Sequence, residues 1–330
     1  MLAGGRSSEH EISVASAASV AAALGELDAD VVMIAIDRAG RWELGTQAAV
    51  GQAAGAALEP RLPDRAVARA LSDVDVVFPL LHGPFGEDGT VQGLLELAGV
   101  PYVGAGVASS AVAMDKALFK SVLRDHRIPV TRNITLRPGD QPENPYGYPV
   151  FVKPARLGSS VGISKAHDEA ELAEAVALAF RHDEKVLVEQ FVDGIEVEVG
   201  VLGNERPIAS VPGEIVVSNN EWYDYEAKYD EGEMVLVVPA RISPEQAERA
   251  QELAVRAFVA IDCEGMARVD MFVRSDGEVL VNELNTIPGF TATSVYAKLF
   301  EASGTPYPAL LERLIELALE RTERRRGLEF

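Results

Sequence analysis

Residues 265–289 read GMARVDMFVRSDGEVLVNELNTIPG and contain two runs rich in β-branched and apolar residues on either side of Asp276-Gly277. An Asp-Gly pair between two such runs predicts a β-hairpin with a two-residue loop. With that loop, Ser275 faces Glu278, and the register of the whole hairpin follows from the turn. We therefore predict two paired antiparallel strands in this stretch.

The polar residues of this hairpin fall on one face. The predicted register places Asp270 opposite Glu283 and Arg268 opposite Asn285, and the side-chain period of two puts all four together. The other face carries Val269, Met271, Val273, Leu280 and Leu284, with Asn282 as its one polar residue. Facing carboxylates repel each other unless a cation compensates them, and carboxylate and amide oxygens suit a hard ion such as Mg²⁺. We predict a metal–phosphate site; the alternative is a solvated strand face.

Composition limits the class of protein. The chain has 330 residues, a formal net charge of −21 and a single cysteine, Cys263. Its length suggests two or three domains, and the negative charge favours a small-molecule partner over nucleic acid. One cysteine excludes an internal disulfide, and no apolar run reaches membrane-spanning length. We therefore expect a cytoplasmic protein with no nucleic-acid or membrane partner.

Strands alternate with helices in the N-terminal third. Residues 31–37 and 75–81 are predicted to be buried strands, which indicates a parallel α/β sheet with ligands at the carboxyl ends of its strands. His82 follows one such end, so it is a candidate binding residue, although a structural role explains it equally well. Glu11 precedes a helix predicted from Ser13 and is either a helix N-terminal carboxylate or a binding residue.

The middle of the chain contains a glycine-rich loop between two predicted strands, after a helix predicted over residues 108–126. Residues 154–162, PARLGSSVG, offer backbone N–H groups and hydroxyls to a phosphate, with Lys153 as the neighbouring charge. GSSVG also matches the nucleophile-elbow pattern of serine hydrolases, with Ser160 as the nucleophile. That pattern requires a helix after the serine, whereas a strand is predicted here, so we favour a phosphate loop.

Two further segments complete a predicted cleft. A strand at residues 185–191 carries Glu189, and the next strand alternates Glu196 and Glu198 with valines. Glu189 and Glu196 are either solvated edge residues or ligands of ribose hydroxyls, amines or metal ions in a nucleotide cleft. Residues 212–239 show little periodicity and are predicted to be a functional loop such as an active-site lid.

Taken together, the motifs resemble D-alanine–D-alanine ligases of the ATP-grasp superfamily. They are GGRSSEHE at 4–11, LHGPFGEDGTVQG at 81–93, MDK at 114–116, VKPARLGSSVG at 152–162, YDYEAKY at 223–229, RVD at 268–270, NELNTIPG at 282–289 and PGFTATS at 288–294. The resemblance covers nearly the whole chain in the family's order and spacing. It implies an α/β (α+β) three-domain architecture: an N-terminal parallel α/β domain at 1–114, and two mixed α+β domains at 115–192 and 193–330 with ATP between them.

The resemblance also implies a reaction. The family transfers the γ-phosphoryl group of ATP to one D-alanine, and the amine of a second D-alanine attacks the acyl phosphate to give D-alanyl-D-alanine for peptidoglycan synthesis. It implies Mg²⁺ or Mn²⁺, with two ions expected, K⁺ as a further candidate, and a homodimer. The alternatives are the same fold with D-lactate or D-serine as second substrate, and a nucleotide-binding regulatory protein without turnover.

The resemblance assigns roles by motif. For ATP the implied residues are Lys116, Lys153, Ser159, Glu189, Gln190, Phe191, Val192, Glu196 and Lys228, and for the metal ions Asp270, Glu283 and Asn285. For the substrates they are Glu11 at the ammonium of the first D-alanine, His82 near its carboxylate, and Ser294 at the carboxylate of the second. The implied catalytic set is Glu11, Ser159, Tyr229, Arg268 and Gly289. In this set Arg268 and the Gly289 N–H stabilise the tetrahedral intermediate.

Overall fold

The computed structural model describes residues 1–45, 63–159, 161–217 and 234–329. The strands of these ranges form three sheets, of three, four and six strands, with helices packed on them. The predicted combination of helices with β-sheets is therefore confirmed. Each sheet falls within one of the three predicted domains, whose boundaries stay predictions. No helix of the described ranges is long and apolar enough to cross a membrane.

The N-terminal part contains β1 (Leu2–Gly4), α1 (His10–Glu26), β2 (Ile34–Ile36), β3 (Trp42–Leu44), α2 (Arg65–Ser72), α3 (Thr90–Ala98) and α4 (Val107–Met114). β1 pairs in parallel with β2, and β3 adds antiparallel to β2. The strand predicted at residues 75–81 makes only single bridges, both parallel, from Pro79 to Leu2 and from Val77 to Tyr102. The parallel direction is thus as predicted, while the regular strands are shorter than predicted.

The helix predicted over residues 108–126 is two helices, α4 and α5 (Lys116–Asp125), with the break at Asp115. The backbone of Asp115 is extended, and its carboxylate accepts a hydrogen bond from the Leu118 N–H at 3.1 Å. An N-cap aspartate satisfies a first-turn N–H that has no partner within the helix, so a new helix can begin here. Lys116 and Lys120, four residues apart, consequently lie on one face of α5.

The four-stranded sheet contains β4 (Asn133–Leu136), β5 (Val150–Pro154), β6 (Ser164–Ala166) and β7 (Val186–Gln190), with α6 (Glu169–Ala179) packed on it. Its order is β4-β7-β5-β6, and all its pairs are antiparallel. Val152 and Val188 are fully buried in the core with α6. Because side chains alternate along a strand, Lys153 and Glu189 point to the opposite face, toward the largest sheet.

The six-stranded sheet contains β8 (Ile195–Gly203), β9 (Ile208–Ala209), β10 (Gly213–Val217), β11 (Met234–Val237), β12 (Gly265–Val273) and β13 (Val279–Asn285). Its helices are α7 (Pro244–Ala260), α8 (Val295–Ala302) and α9 (Tyr307–Arg326). The order is β11-β10-β8-β12-β13, with β9 paired to β8. The loop predicted at residues 212–239 thus contains two strands that pair antiparallel. Lys228 and Tyr229 lie outside the described residues.

The hairpin of β12 and β13 has the predicted register at its polar end and a different one near its turn. Asp270 pairs with Glu283 and Arg268 with Asn285, as predicted, but Met271 pairs with Val281. The predicted two-residue loop is wrong, since the strands end at Val273 and Val279. A bulge next to Asp270 restores the predicted pairing.

The bulge changes which residues of β13 enter the core. Val279 and Val281 pack beside Leu284 in the hydrophobic cluster under β12, whereas Leu280, predicted to be on that face, is buried outside this cluster. An extra residue in one strand re-aims the side chains around it. Here the extra residue is Asn282, whose amide oxygen lies 3.2 Å from Lys153 Nζ. Its polar character, the exception in the predicted apolar face, is explained by this contact.

Candidate active site

Two neighbouring cavities bring the predicted residues together. The central cavity, of about 520 Å³, lies between the four-stranded and the six-stranded sheets. The junction cavity, of about 270 Å³, lies between the N-terminal part and the six-stranded sheet. Residues that line both are Gly158, Ser159, Glu198 and Glu283. Molecules bound in the two cavities would therefore meet at these residues.

Two predicted phosphate-binding lysines project into the central cavity. Lys116 Nζ donates to the Leu157 carbonyl at 2.7 Å and lies 3.3 Å from the Glu283 carboxylate. Lys153 Nζ donates to Glu189 Oε1 at 2.7 Å. Both lysines are buried. Buried cations at a cavity wall attract a polyanion strongly, because little water screens them.

The predicted base-binding residues form one wall of the same cavity, which Gln190, Phe191, Val192 and Glu196 all line. The Phe191 ring lies 6.2 Å from that of Phe151 between centroids, and Lys165 Nζ lies 4.5 Å above it. Gln190 Oε1 accepts a hydrogen bond from Arg132 Nε at 2.6 Å. An aromatic ring flanked by hydrogen-bonding side chains suits a planar base.

The predicted metal ligands stand side by side on the hairpin. Asp270 accepts hydrogen bonds from Arg268 Nε and Nη2, both at 2.7 Å, and from Asn285 Nδ2 at 3.0 Å. Arg268 Nε also lies 3.1 Å from the Glu198 carboxylate. In the described residues, cations of the protein thus face the paired carboxylates: Arg268 at Asp270, and Lys116 at Glu283.

The donor set fits a magnesium-type ion. The described residues contain no group of three or more His, Cys, Asp or Glu side chains placed to hold a metal. Two carboxylates and one amide are what Mg²⁺ takes when substrate phosphates complete its shell, whereas a dedicated protein cage would need more ligands. Asp270, Glu283 and Asn285 are therefore compatible with a metal ion that arrives with a nucleotide.

Glu9, rather than the predicted Glu11, points into the junction cavity. Glu9 lines that cavity, and its Oε2 lies 3.3 Å from the position that a Cβ would take on either Gly83 or Gly158. Glu11 lies in the first turn of α1, its side chain is 71% exposed, and it pairs with Arg38. Two residues along a helix correspond to about 200° of rotation, so the two glutamates face different sides. The expectation that Glu11 lies in the binding cleft is therefore wrong, and Glu9 occupies that place in the junction cavity.

The structure brings four other predicted site residues together, and their roles stay predictions. His82, Arg268, Gly289 and Ser294 line the junction cavity together. Ser294 Oγ accepts a hydrogen bond from the Thr291 N–H at 2.9 Å, which fixes the hydroxyl at the start of α8.

Ser159 is buried between the two cavities, with φ of +51°. A left-handed backbone at a non-glycine residue costs about 1–3 kcal/mol and persists where surrounding structure imposes it, often at functional sites. The observed strain agrees with a functional glycine-rich loop at this position. Ser160, the nucleophile of the hydrolase alternative, lies outside the described residues, and strand β6 follows the loop where that alternative requires a helix.

His82 and Glu87 clamp the backbone of Ile287, which follows strand β13. His82 Nδ1 is 2.9 Å from the Ile287 carbonyl, and the Glu87 carboxylate accepts from the Gly83 N–H at 2.8 Å and the Ile287 N–H at 3.4 Å. Burial lowers the pKa of His82, so its ring is neutral and donates from Nδ1. Burial, reinforced by nearby Glu9, raises the pKa of Glu87 to about 8. Ile287 lies two residues before Gly289, so the clamp fixes the backbone that leads to the predicted oxyanion donor.

The raised pKa of Glu87 predicts a pH-dependent stability. Between the ordinary value of 4.5 and about 8, the unfolded chain has lost this proton while the folded protein retains it. The free energy of unfolding therefore falls as pH rises through that window, by on the order of 1 kcal/mol or more. Between pH 5 and pH 8, the free energy of unfolding measured with denaturant should fall less in Glu87→Gln than in the unsubstituted protein. Glu26→Gln, at the exposed end of α1, is the control, and equal losses in all three proteins would contradict the prediction.

Comparison with known proteins agrees with this geometry. The sequence profile described as "D-ala D-ala ligase N-terminus" matches residues 1–105, and "D-ala D-ala ligase C-terminus" matches residues 114–316. The chain belongs to the D-alanine–D-alanine ligase family. The D-alanine–D-alanine ligase of Deinococcus radiodurans is 49% identical over 333 residues, which cover 97% of this chain and 98% of that protein.

Solved structures of the D-alanine–D-alanine ligase fold superpose on the chain. The D-alanine-D-alanine ligase from Coxiella burnetii gives a TM-score of 0.82 at 38% identity and covers 98% of this chain and 96% of its own. The VanG D-Ala:D-Ser ligase from Enterococcus faecalis gives 0.83 at 36% identity, covering 96% and 98%. The predicted ATP-grasp fold is confirmed. Because a D-Ala:D-Ser ligase shares it, the fold alone does not choose the second substrate.

Several residues of this D-alanine–D-alanine ligase site were missed by the sequence reasoning: Glu9, Glu87, Lys120, Glu198 and Asn282. Lys120 could have been found, because it stands one helical turn after Lys116. Glu87 is within a motif that had been singled out, but nothing local indicates that its carboxylate turns inward. The position of Asn282 depends on the bulge, which has no signal in the sequence.

Proposed function

We propose that this chain joins two D-alanine molecules into D-alanyl-D-alanine and converts ATP to ADP and phosphate. The observation that carries the proposal is the meeting of the two cavities at Ser159, Glu198 and Glu283, with Arg268 beside them. Lysines suited to a triphosphate line one cavity, and groups suited to an amino acid line the other. The product is the one that the relatives at 44–49% identity are named for.

In the first step, a carboxylate oxygen of the first D-alanine attacks the γ-phosphorus of ATP, and the bond to the β–γ bridging oxygen breaks. Lys116 and Lys153 neutralise charge on the phosphates, and Glu9 accepts hydrogen bonds from the ammonium of that D-alanine. Mg²⁺ or Mn²⁺, two ions in all, would be held by Asp270, Glu283 and Asn285 and would supply further charge neutralisation. Positioning and charge neutralisation account for most of the catalysis of phosphoryl transfer.

In the second step, the second D-alanine loses an ammonium proton and its amine attacks the acyl carbon. The tetrahedral oxyanion receives hydrogen bonds from Arg268 and the Gly289 N–H, and its collapse breaks the bond to phosphate. Ser294 binds the carboxylate of the second D-alanine, and neutral His82 lies near that of the first. The carboxylates of Glu198 and Asp270 hold Arg268, so its guanidinium group is already oriented before the substrates bind.

The remaining roles are proposed by analogy with the family. Gln190, Phe191 and Val192 line the adenine pocket, Glu189 and Glu196 bind polar groups of the nucleoside, and Ser159 contacts the phosphates. Lys228 and Tyr229, outside the described residues, complete the lid. We also propose a cytoplasmic homodimer and K⁺ as a further ion. Light scattering on the purified protein tests the dimer, and activity with K⁺ replaced by Na⁺ tests the ion.

A single assay tests the reaction. Phosphate release from Mg-ATP is measured with D-alanine, L-alanine, D-serine, D-lactate or no acceptor, and the product is identified by mass. We expect release only when D-alanine is present and D-alanyl-D-alanine as the main product. A mixed product from D-alanine with D-serine or D-lactate at higher kcat/KM would favour the alternative substrates. Release without any amino acid, or none at all, would contradict the ligase.

A further inference from the structure

Lys120 is a fully buried lysine that no motif assigned. It lies on α5 one turn after Lys116, with 0% of its surface exposed. Its Nζ donates to Glu189 Oε2 and to Thr131 Oγ1, and it lies 3.5 Å from Asn282 Oδ1. The ammonium group thus has three oxygen partners, the number that it has protons to share. These contacts leave Lys120 one well-defined position behind the wall of the central cavity.

Stability alone does not explain a buried lysine at this position. Burial lowers the pKa of Lys120 to about 7 although Glu189 opposes the shift. A well-packed hydrophobic residue in place of a buried ion pair is often neutral or stabilising. A buried charged pair beside a binding cavity therefore points to a functional reason rather than to stability.

The carboxylate of Glu189 is held by one lysine on each oxygen. Lys120 contacts Oε2, and Lys153 contacts Oε1 at 2.7 Å. Burial by itself would raise the pKa of Glu189, but the two lysines outweigh it and hold that pKa below its ordinary value. The side chain is therefore an ionised carboxylate, which can accept hydrogen bonds and cannot donate them.

The two lysines are not equivalent. Lys153 lines the central cavity, where a triphosphate would compete with Glu189 for its ammonium group. Lys120 does not line that cavity and has no exposed surface. If a nucleotide draws Lys153 away from Glu189, Lys120, which Thr131 holds in place, would still contact the Glu189 carboxylate.

We propose that Lys120 is a positioning residue that holds Glu189 as a pure acceptor for the exocyclic amine of adenine, so that it sets the preference for ATP over 6-oxo purine nucleotides. The inference depends on the proposed function for the presence of a nucleotide in the central cavity. Glu189 adjoins Gln190, Phe191 and Val192 on the wall suited to a base. A 6-oxo purine presents a carbonyl oxygen where adenine presents an amine, and a carboxylate fixed at that position repels it.

The test compares ADP with IDP, which differs from it by this amine-to-carbonyl change at the base. Calorimetric Kd values for both nucleotides are measured for the unsubstituted protein, Lys120→Met and Lys120→Arg, together with kcat/KM for ATP and ITP. For Lys120→Met we expect the affinity for ADP and the kcat/KM for ATP to fall about tenfold or more. The affinity for IDP and the kcat/KM for ITP should change by less than about twofold. Lys120→Arg, which keeps the charge, should recover part of the preference. Equal losses for both bases, or an unchanged ratio, would overturn the proposal.

Lys185→Met is the matched control. Lys185 is also a buried lysine, but it pairs with Asp115 at the start of α5 and makes no contact with Glu189. We expect it to lower stability without changing the adenine preference, and a change equal to that of Lys120→Met would overturn the specific role of Lys120. If Lys120→Met does not fold, the same ratio is measured in Thr131→Val, where an unchanged ratio would overturn the proposal.

Failure of the inference and failure of the proposed function give different results. If the unsubstituted protein binds ADP but releases no phosphate with D-alanine, the proposed function fails while the nucleotide preference remains measurable. If the unsubstituted protein is an active ligase but Lys120→Met lowers the affinity for ADP and IDP by equal factors, only the role of Lys120 fails.

Discussion

Glu283→Gln is expected to lower D-alanine-dependent phosphate release by about 10³-fold, which corresponds to about 4 kcal/mol of lost transition-state stabilisation. The carboxylate is one of two that face each other across β12 and β13, and it lines both cavities. A neutral amide at this position attracts a divalent ion far less than a carboxylate does. The measurement is the initial rate of phosphate release across a range of Mg²⁺ concentrations.

The fold should survive this substitution. Glu283 loses its charge contact with Lys116 at 3.3 Å, while Asp270 loses the repulsion of the facing carboxylate. These two changes have opposite effects on the free energy of unfolding, so we expect the melting temperature to shift by about 5 °C or less. Glu278→Gln is the control, since Glu278 is an exposed carboxylate near the hairpin turn that pairs with Arg274 at 3.0 Å. Near-normal activity of Glu283→Gln at saturating Mg²⁺ would remove Glu283 from the metal site.

Glu9→Gln is expected to lower kcat/KM for D-alanine by about 10- to 100-fold, whereas Glu11→Gln should change it by less than about twofold. A charged hydrogen bond between carboxylate and ammonium contributes about 1.5–3 kcal/mol, and the amide retains only part of it. Glu9 lies in the junction cavity between Gly83 and Gly158, while Glu11 pairs with Arg38 on the exposed side of α1. The comparison requires saturating ATP and a full titration of D-alanine.

Each glutamate serves as the control for the other, because they are chemically identical and two residues apart. A large loss in Glu11→Gln with a small one in Glu9→Gln would reverse the correction and return Glu11 to the substrate site. Large losses in both would indicate that the start of α1, rather than either carboxylate, is what the substrate requires.

Local patterns predicted the elements with short-range causes. The apolar alternation of β12 and the pairing of Asp270 with Glu283 both depend on residues close along the chain. The same reasoning failed where a neighbour in space decides the outcome. The predicted helix breaks at Asp115, whose carboxylate caps α5 and also pairs with Lys185, 70 residues away.

The sequence by itself determined the polar face of the hairpin, because side chains alternate along a strand at a fixed period. Its motifs also indicated the family, and with it the ATP-grasp fold, through their resemblance to D-alanine–D-alanine ligases. Only the tertiary structure decided between Glu9 and Glu11, since helix α1 begins three residues before its predicted start and rotates the two side chains apart. It also decided the bulge at Asn282 and the burial of Lys120 against Glu189. These depend on which distant groups compensate a buried charge, and a residue's own neighbours in sequence do not specify them.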